Sequence, residues 1–198
     1  MLLALAVMAG FLAGSIRAAL HKTLLQVPNF NHSWIIFATL IPQILIFQIP
    51  SISQFIPLPI AKGILIGSFL GLLVFVWLNR KLPGLTILGL GAALNLLVIF
   101  FNRGLMPISP DNASYVHPST PPEAWSLGER LGTGKDVVLM AEDTRLAFLS
   151  DRFRLPLWMP YRAAYSLGDI FIALGTMALL WSAGKVQSDS IIQPTYDS

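Results

Sequence analysis

Residues 85–110 read LTILGLGAALNLLVIFFNRGLMPISP. From Leu85 to Phe101 the run is apolar except for Thr86 and Asn95, and Asn102 with Arg103 closes it. Beyond that point the chain turns through Gly104, Pro107 and Pro110 into a polar stretch. A helix that crosses a bilayer needs about 20 largely apolar residues. The break at residue 103 therefore divides a hydrophobic half of the chain from a polar loop.

Working outward, four other segments have the same character: Met1 to Ile16, Ser33 to Ile49, Gly63 to Leu78 and Leu167 to Ala183. The expected fold class is an all-α membrane protein with five transmembrane helices and a ~60-residue extracytoplasmic cap loop between helices 4 and 5. Residues 1–102 form a four-helix transmembrane region. Residues 103–165 form the cap with an interfacial segment. Residues 166–198 supply the fifth helix and a cytoplasmic tail. Composition agrees. Of the 198 residues 55% are hydrophobic and 12% charged, against about 25% charged in an ordinary soluble domain. Mean hydropathy is +0.68. These values exclude a soluble globular enzyme, a disordered tail and a fibrous repeat.

Charge sets the expected orientation. Residues 1–110 carry six basic groups and no acid, and all ten acidic residues lie from Asp111 onward. No basic group precedes the first apolar run, and Arg17 follows it, an order that favours a retained span over a cleaved signal. With the N-terminus outside and the C-terminus cytoplasmic, the inner segments hold Arg17, Lys22, Arg80, Lys81 and Lys185. The loop 103–165 holds seven basic and seven acidic residues, and long loops cross largely regardless of charge. Its run Leu155 to Tyr161, with Trp158 and Tyr161, has the composition of an interfacial belt.

Several residues inside or beside the spans stand out. Gly63, Gly67 and Gly71, and likewise Gly10 and Gly14, recur at intervals of four and suit close helix packing, within the chain or against another. Asn95 lies deep in an apolar run and needs a partner. Ser166 and Asp169 form a capping-box pattern with Asp in place of the usual Glu or Gln. Arg103 and Asp169 would meet at the same outer level, which makes an ion pair available. Asn95, Asn102, Arg103 and Asp169 are thus a candidate polar cluster or ligand site. Pro42 should kink the second span. Gln43, Gln48 and Gln54 recur nearby, though on no clean face.

Other patterns fail on inspection. With no cysteine, a disulfide, thiolate metal site or catalytic Cys is excluded. His21, His32 and His117 have no metal-ligand spacing, so no metal is expected, and no span core holds a His for haem. No cofactor is indicated. The run from Gly128 to Asp136 resembles a phosphate loop but has five residues before the Gly134–Lys135 pair where four are needed, and Asp136 stands where Ser or Thr belongs. Glu142, Asp143 and Asp151 interleave with Arg145, Arg152 and Arg154 and read as solvated ion pairs. No basic cluster with aromatics points to nucleic acid.

The segments Ala93-Leu94-Asn95-Leu96-Leu97-Val98 and Asn102-Arg103-Gly104-Leu105-Met106-Pro107-Ile108-Ser109 resemble the signature of an uncharacterised bacterial integral-membrane family, a domain of unknown function. Ser166, Gly168 and Asp169 match its late Ser-x-Gly-Asp element. Arg103 departs from it, where the family has Gly. The resemblance implies a multi-pass protein of the bacterial cytoplasmic (inner) membrane and supplies no chemistry. The leading expectation is a non-enzymatic accessory, assembly or structural subunit of a larger bacterial membrane complex, with membrane lipids and other integral-membrane subunits as partners. The alternative is a binder or carrier of a small or lipidic ligand at the outer ends of helices 4 and 5.

Overall fold

A computed structural model describes residues 2–20 and 28–183. The expectations for His21, Lys22, Lys185 and the C-terminal tail lie outside these residues. The chain is mostly helical, with seven α-helices among the described residues. In order they are α1 (Leu2–Leu20), α2 (Trp34–Gln48), α3 (Pro50–Ser53), α4 (Leu58–Leu78), α5 (Leu85–Phe101), α6 (Pro110–Val116) and α7 (Leu167–Ser182). Four short strands lie between α5 and α7: β1 (Met106–Ile108), β2 (Asp136–Val138), β3 (Phe153–Arg154) and β4 (Ala164–Tyr165).

Helix length does not support the expectation of five spans. Among the described residues only α4, at 21 residues, is both long and apolar enough to cross a membrane. The stretches Trp34–Gln48, Leu85–Phe101 and Leu167–Ser182 are shorter apolar helices. At 1.5 Å per residue, 15 to 17 residues give roughly 22–26 Å, less than the ~30 Å hydrocarbon core. Local chemistry ends these helices early. Ile49 is extended and Pro50 starts a new helix, so α2 stops at Gln48. Gly84, at φ 83°, begins α5 from a left-handed position that Gly adopts freely. Conversely, α4 starts at Leu58, five residues before the expected Gly63, because Pro59 fits the first turn of a helix. Pro42 stays inside α2.

The tightest packing joins α5 to α7. These helices run antiparallel, with Gly91 facing Gly168 and Gly84 facing Gly175. A Cβ on Gly91 would strike the Gly168 carbonyl, and one on Gly84 the Gly175 carbonyl. Each helix carries its two glycines seven residues apart, two turns along one face. Gly10 of α1 approaches α7, where an added Cβ would meet Met177 Cα at 3.0 Å. Gly14 is also buried. Gly71 of α4 abuts Thr39 of α2, and beside it Ser68 donates to the Thr39 carbonyl at 2.9 Å. Gly63 and Gly67 are exposed, and a Cβ on either meets nothing within 4 Å. The reason is geometric. A four-residue step overshoots one turn by about 40°, so two steps carry the stripe well off the α2 contact.

Residues 103–165 fold over one end of the bundle. Strand β1 is wholly buried and pairs parallel with β2, with Met106 opposite Asp136 and Ile108 opposite Val138. Strands β3 and β4 pair antiparallel. Leu105, Met106, Val137 and Leu149 join Leu65, Ala92, Val98 and Ile99 in one continuous core. In the belt-like segment Leu155 is buried, while Leu157 and Trp158 lie open, Trp158 at 80% exposure.

Gly91→Ala should lower stability by about 1–3 kcal/mol, the usual cost of overpacking a closed contact. Gly67→Ala should leave the melting temperature unchanged or slightly raised. Thermal unfolding of both variants in the same detergent checks the contrast.

Candidate functional site

The site grows from the start of α7. Ser166 caps this helix. Its Oγ accepts from the Asp169 N–H at 3.0 Å, and its own N–H donates to Asp169 Oδ2 at 3.1 Å. Asp thus completes the capping box in place of Glu, and it puts negative charge where the helix dipole favours it. Asn95, one turn beyond Gly91, lies over Gly168, whose missing side chain makes the room. Its Nδ2 donates to Asp169 Oδ1 at 2.8 Å, and its Oδ1 accepts from Ser166 Oγ at 2.8 Å. Asn95 and Ser166 are buried. Such interhelical bonds are worth on the order of 1 kcal/mol each, and here they fix the height of α7 against α5.

Of the four expected site residues, the structure joins two. Asn95 and Asp169 bond directly. Asn102 and Arg103 lie apart from them. Among the described residues no ion pair joins Arg103 to Asp169, and the two line different cavities. Asn102 ends α5 and clamps the cap. Its Nδ2 donates to the Arg145 carbonyl at 2.8 Å and its Oδ1 accepts from the Arg145 N–H at 3.0 Å. One side-chain amide thus replaces the peptide partner that a strand would provide. Asn79 does the same at the end of α4, holding the Asn31 peptide at 2.9 and 2.7 Å.

A second polar centre comes from the cap. The β1–β2 register sets Lys135 beside Met106, whose N–H donates to the Lys135 carbonyl at 2.9 Å. On the other side of β1, the Asp151 N–H donates to the Pro107 carbonyl at 3.1 Å. Lys135 Nζ therefore reaches Asp151 Oδ2 at 2.7 Å and Asp136 Oδ1 at 3.2 Å. Asp151 is only 3% exposed, which corrects its reading as a solvated surface charge. Its partner lies 16 residues back in sequence, beyond the reach of local charge patterning. Burial disfavours the Lys135 ammonium, but Asp136, Asp151 and Asp169 outweigh it and hold the group above its ordinary pKa. Burial pushes the Asp151 carboxyl well above the carboxylate range, and Lys135 offsets only part of this. Asp151 Oδ1 is buried with no hydrogen-bond partner, which adds to the cost of ionising it.

Between bundle and cap lies a cavity of about 320 Å³. Its polar lining is Gln43, Gln48, Ser68, Asn95, Lys135, Tyr165 and Asp169. Leu40, Phe69, Leu72 and Ile172 are among its apolar walls. Lys135, its side chain 31% exposed, supplies the cation. Sequence reasoning saw Gln43 and Gln48 but not their common destination, and met Lys135 only in a failed phosphate-loop pattern. Among the described residues no group of three His, Cys, Asp or Glu is placed to hold a metal.

Residues 28–181 match the sequence profile of the Family of unknown function (DUF5317). The chain belongs to that family. The DUF5317 match takes in α2 to α7 and both polar centres, and it leaves α1 outside. No curated protein and no solved structure matches the chain.

Removing the Lys135 charge should expose the cost of Asp151. In Lys135→Met the folded-state pKa of Asp151 rises further above its unfolded value. Stability is then retained below about pH 4 and is lost as pH climbs toward the folded value. The deficit against the parent should therefore be small at acid pH and grow to about 3–5 kcal/mol at neutral pH, the usual result of orphaning a buried charge. Unfolding at pH 4.5 and pH 8 checks the sign.

Proposed function

We propose that this protein is a non-enzymatic membrane protein that binds an amphipathic small molecule or lipid between its helical bundle and its cap. The observation that carries this is the 320 Å³ cavity. Its floor is apolar helix surface, and Gln43 of α2, Asp169 of α7 and Lys135 of the loop before β2 converge on it. Polar groups gathered on an otherwise apolar bundle are costly, and a pocket with apolar walls and a few convergent polar groups is the form a ligand site takes. Apolar walls would take the tail of such a ligand. The amide, ammonium and carboxylate groups would take a head with both donors and acceptors.

In this reading the five apolar helices cross the bilayer, the cap lies outside, and short helices are matched by tilt of the long α4 and local thinning. Support comes from the outward apolar faces, including Met8, Phe11, Phe37, Ile41, Leu70, Leu90 and Leu174. Further support is the placement of Arg17, Arg80 and Lys81 away from the cap. Arg17 stacks on Trp181 and Arg80 on Trp77 at that end.

The subunit reading keeps one observation in its favour. Gly63 and Gly67 present an open, side-chain-free face on α4, which another helix could approach closely.

Native mass spectrometry of protein extracted in mild detergent should show a bound small molecule or lipid that leaves on denaturation. Ala163→Trp, which fills the cavity wall, should abolish that adduct while the protein still melts cooperatively. A bare monomer would sink the binder reading, and a stoichiometric membrane-protein partner with no adduct would transfer support to the subunit reading.

A further inference from the structure

A second and larger cavity, about 550 Å³, shares no lining residue with the first. Its lining holds four cations, Lys62, Arg103, Arg130 and Arg145, against a single carboxylate, Asp143. Arg130 is partly engaged. Its guanidinium donates to the Gly134 carbonyl at 2.6 Å and to Ser53 Oγ at 3.2 Å, and it lies 5.1 Å from the Phe47 ring centre. The side chains of Lys62, Arg103 and Arg145 have no ion-pair or hydrogen-bond partner among the described residues. Three unpaired cations in one concavity repel one another, and an anion would relieve that repulsion.

Each of the three is held there at some cost or by a dedicated contact. Lys62 is the one charged residue of α4 and sits near its N-terminus, the end where the helix dipole disfavours a cation. Its stem packs on Gly104, where a Cβ would approach Lys62 Cβ to 3.1 Å. Arg103 has φ 63°, a left-handed conformation that strains any residue with a Cβ and suits Gly. Arg145 is positioned through its peptide by the Asn102 amide. Leu58, Phe101 and Leu127 form an exposed apolar rim.

We propose that Lys62, Arg103, Arg130 and Arg145 form a binding site for a phosphate-bearing anion, either a free phosphate ester or a lipid phosphate whose chains run over the apolar rim. Arginine forks and a lysine point charge suit phosphate oxygens. The site is separate from the cavity of the proposed function and does not depend on it.

The test is thermal unfolding of the full chain in a neutral detergent with rising glycerol phosphate, and in phosphatidylcholine nanodiscs with rising phosphatidylglycerol. We expect saturable stabilisation in at least one series. Response in detergent identifies a soluble anion, and response confined to nanodiscs identifies a lipid head group. Arg103→Gly should raise the baseline melting temperature by relieving the backbone, yet shift half-saturation at least tenfold higher. Arg145→Gln should give the same shift. Arg80→Gln, the same charge change at the far end of the bundle, should leave it unmoved. The proposal is overturned if neither series stabilises, if Arg103→Gly and Arg145→Gln respond like the parent, or if Arg80→Gln loses as much.

Discussion

Where Gly91 of α5 faces Gly168 of α7, two backbones meet with no side chain between them. Dispersion, with no side-chain entropy to lose, rewards this approach. Its main consequence is positional. Asn95 comes over Gly168 and finds Asp169 and Ser166 within hydrogen-bond range. The polar network then sets the exact height of α7, and Ser166 fixes where that helix begins. At the other side of the cap, Asn102 fixes where α5 ends. Both ends of residues 103–165 are thus tied to one helix pair, and the cap inherits its geometry from a glycine contact deep in the bundle.

Anchored this way, the cap separates charge. Around the smaller cavity, Lys135 meets Asp136 and Asp151 and feels the charge of Asp169, so carboxylates outnumber the cation. In the larger cavity four cations face one carboxylate. The loop 103–165 as a whole is neutral, so this sorting is not visible in its composition.

The helices were legible because burial or bilayer contact leaves long apolar runs, and α5 coincides with the expected Leu85 to Phe101. The capping box at Ser166 and Asp169 was legible for a local reason, since three residues contain the whole interaction. The decisive glycines were not. Gly84, Gly91, Gly168 and Gly175 gain meaning only when two helices distant in sequence are laid antiparallel, and a search within single helices finds the four-residue stripe of Gly63 and Gly67 instead. Lys135 and Asp151 were hidden for a similar reason. Their contact passes across β1, a three-residue strand with no alternation to announce it. Asn102 was noticed, but its use as a substitute peptide group depends on where residue 145 returns.

The pairing of α1 with α7 bears on how the chain is made. Gly10 packs against Met177 and Leu180, and Arg17 stacks on Trp181, so α1 closes on α7. During synthesis α1 has to wait, without this native neighbour, until residues 167–182 have left the ribosome. A chain cut short before residue 167 leaves the Gly10 face with no α7 to cover it.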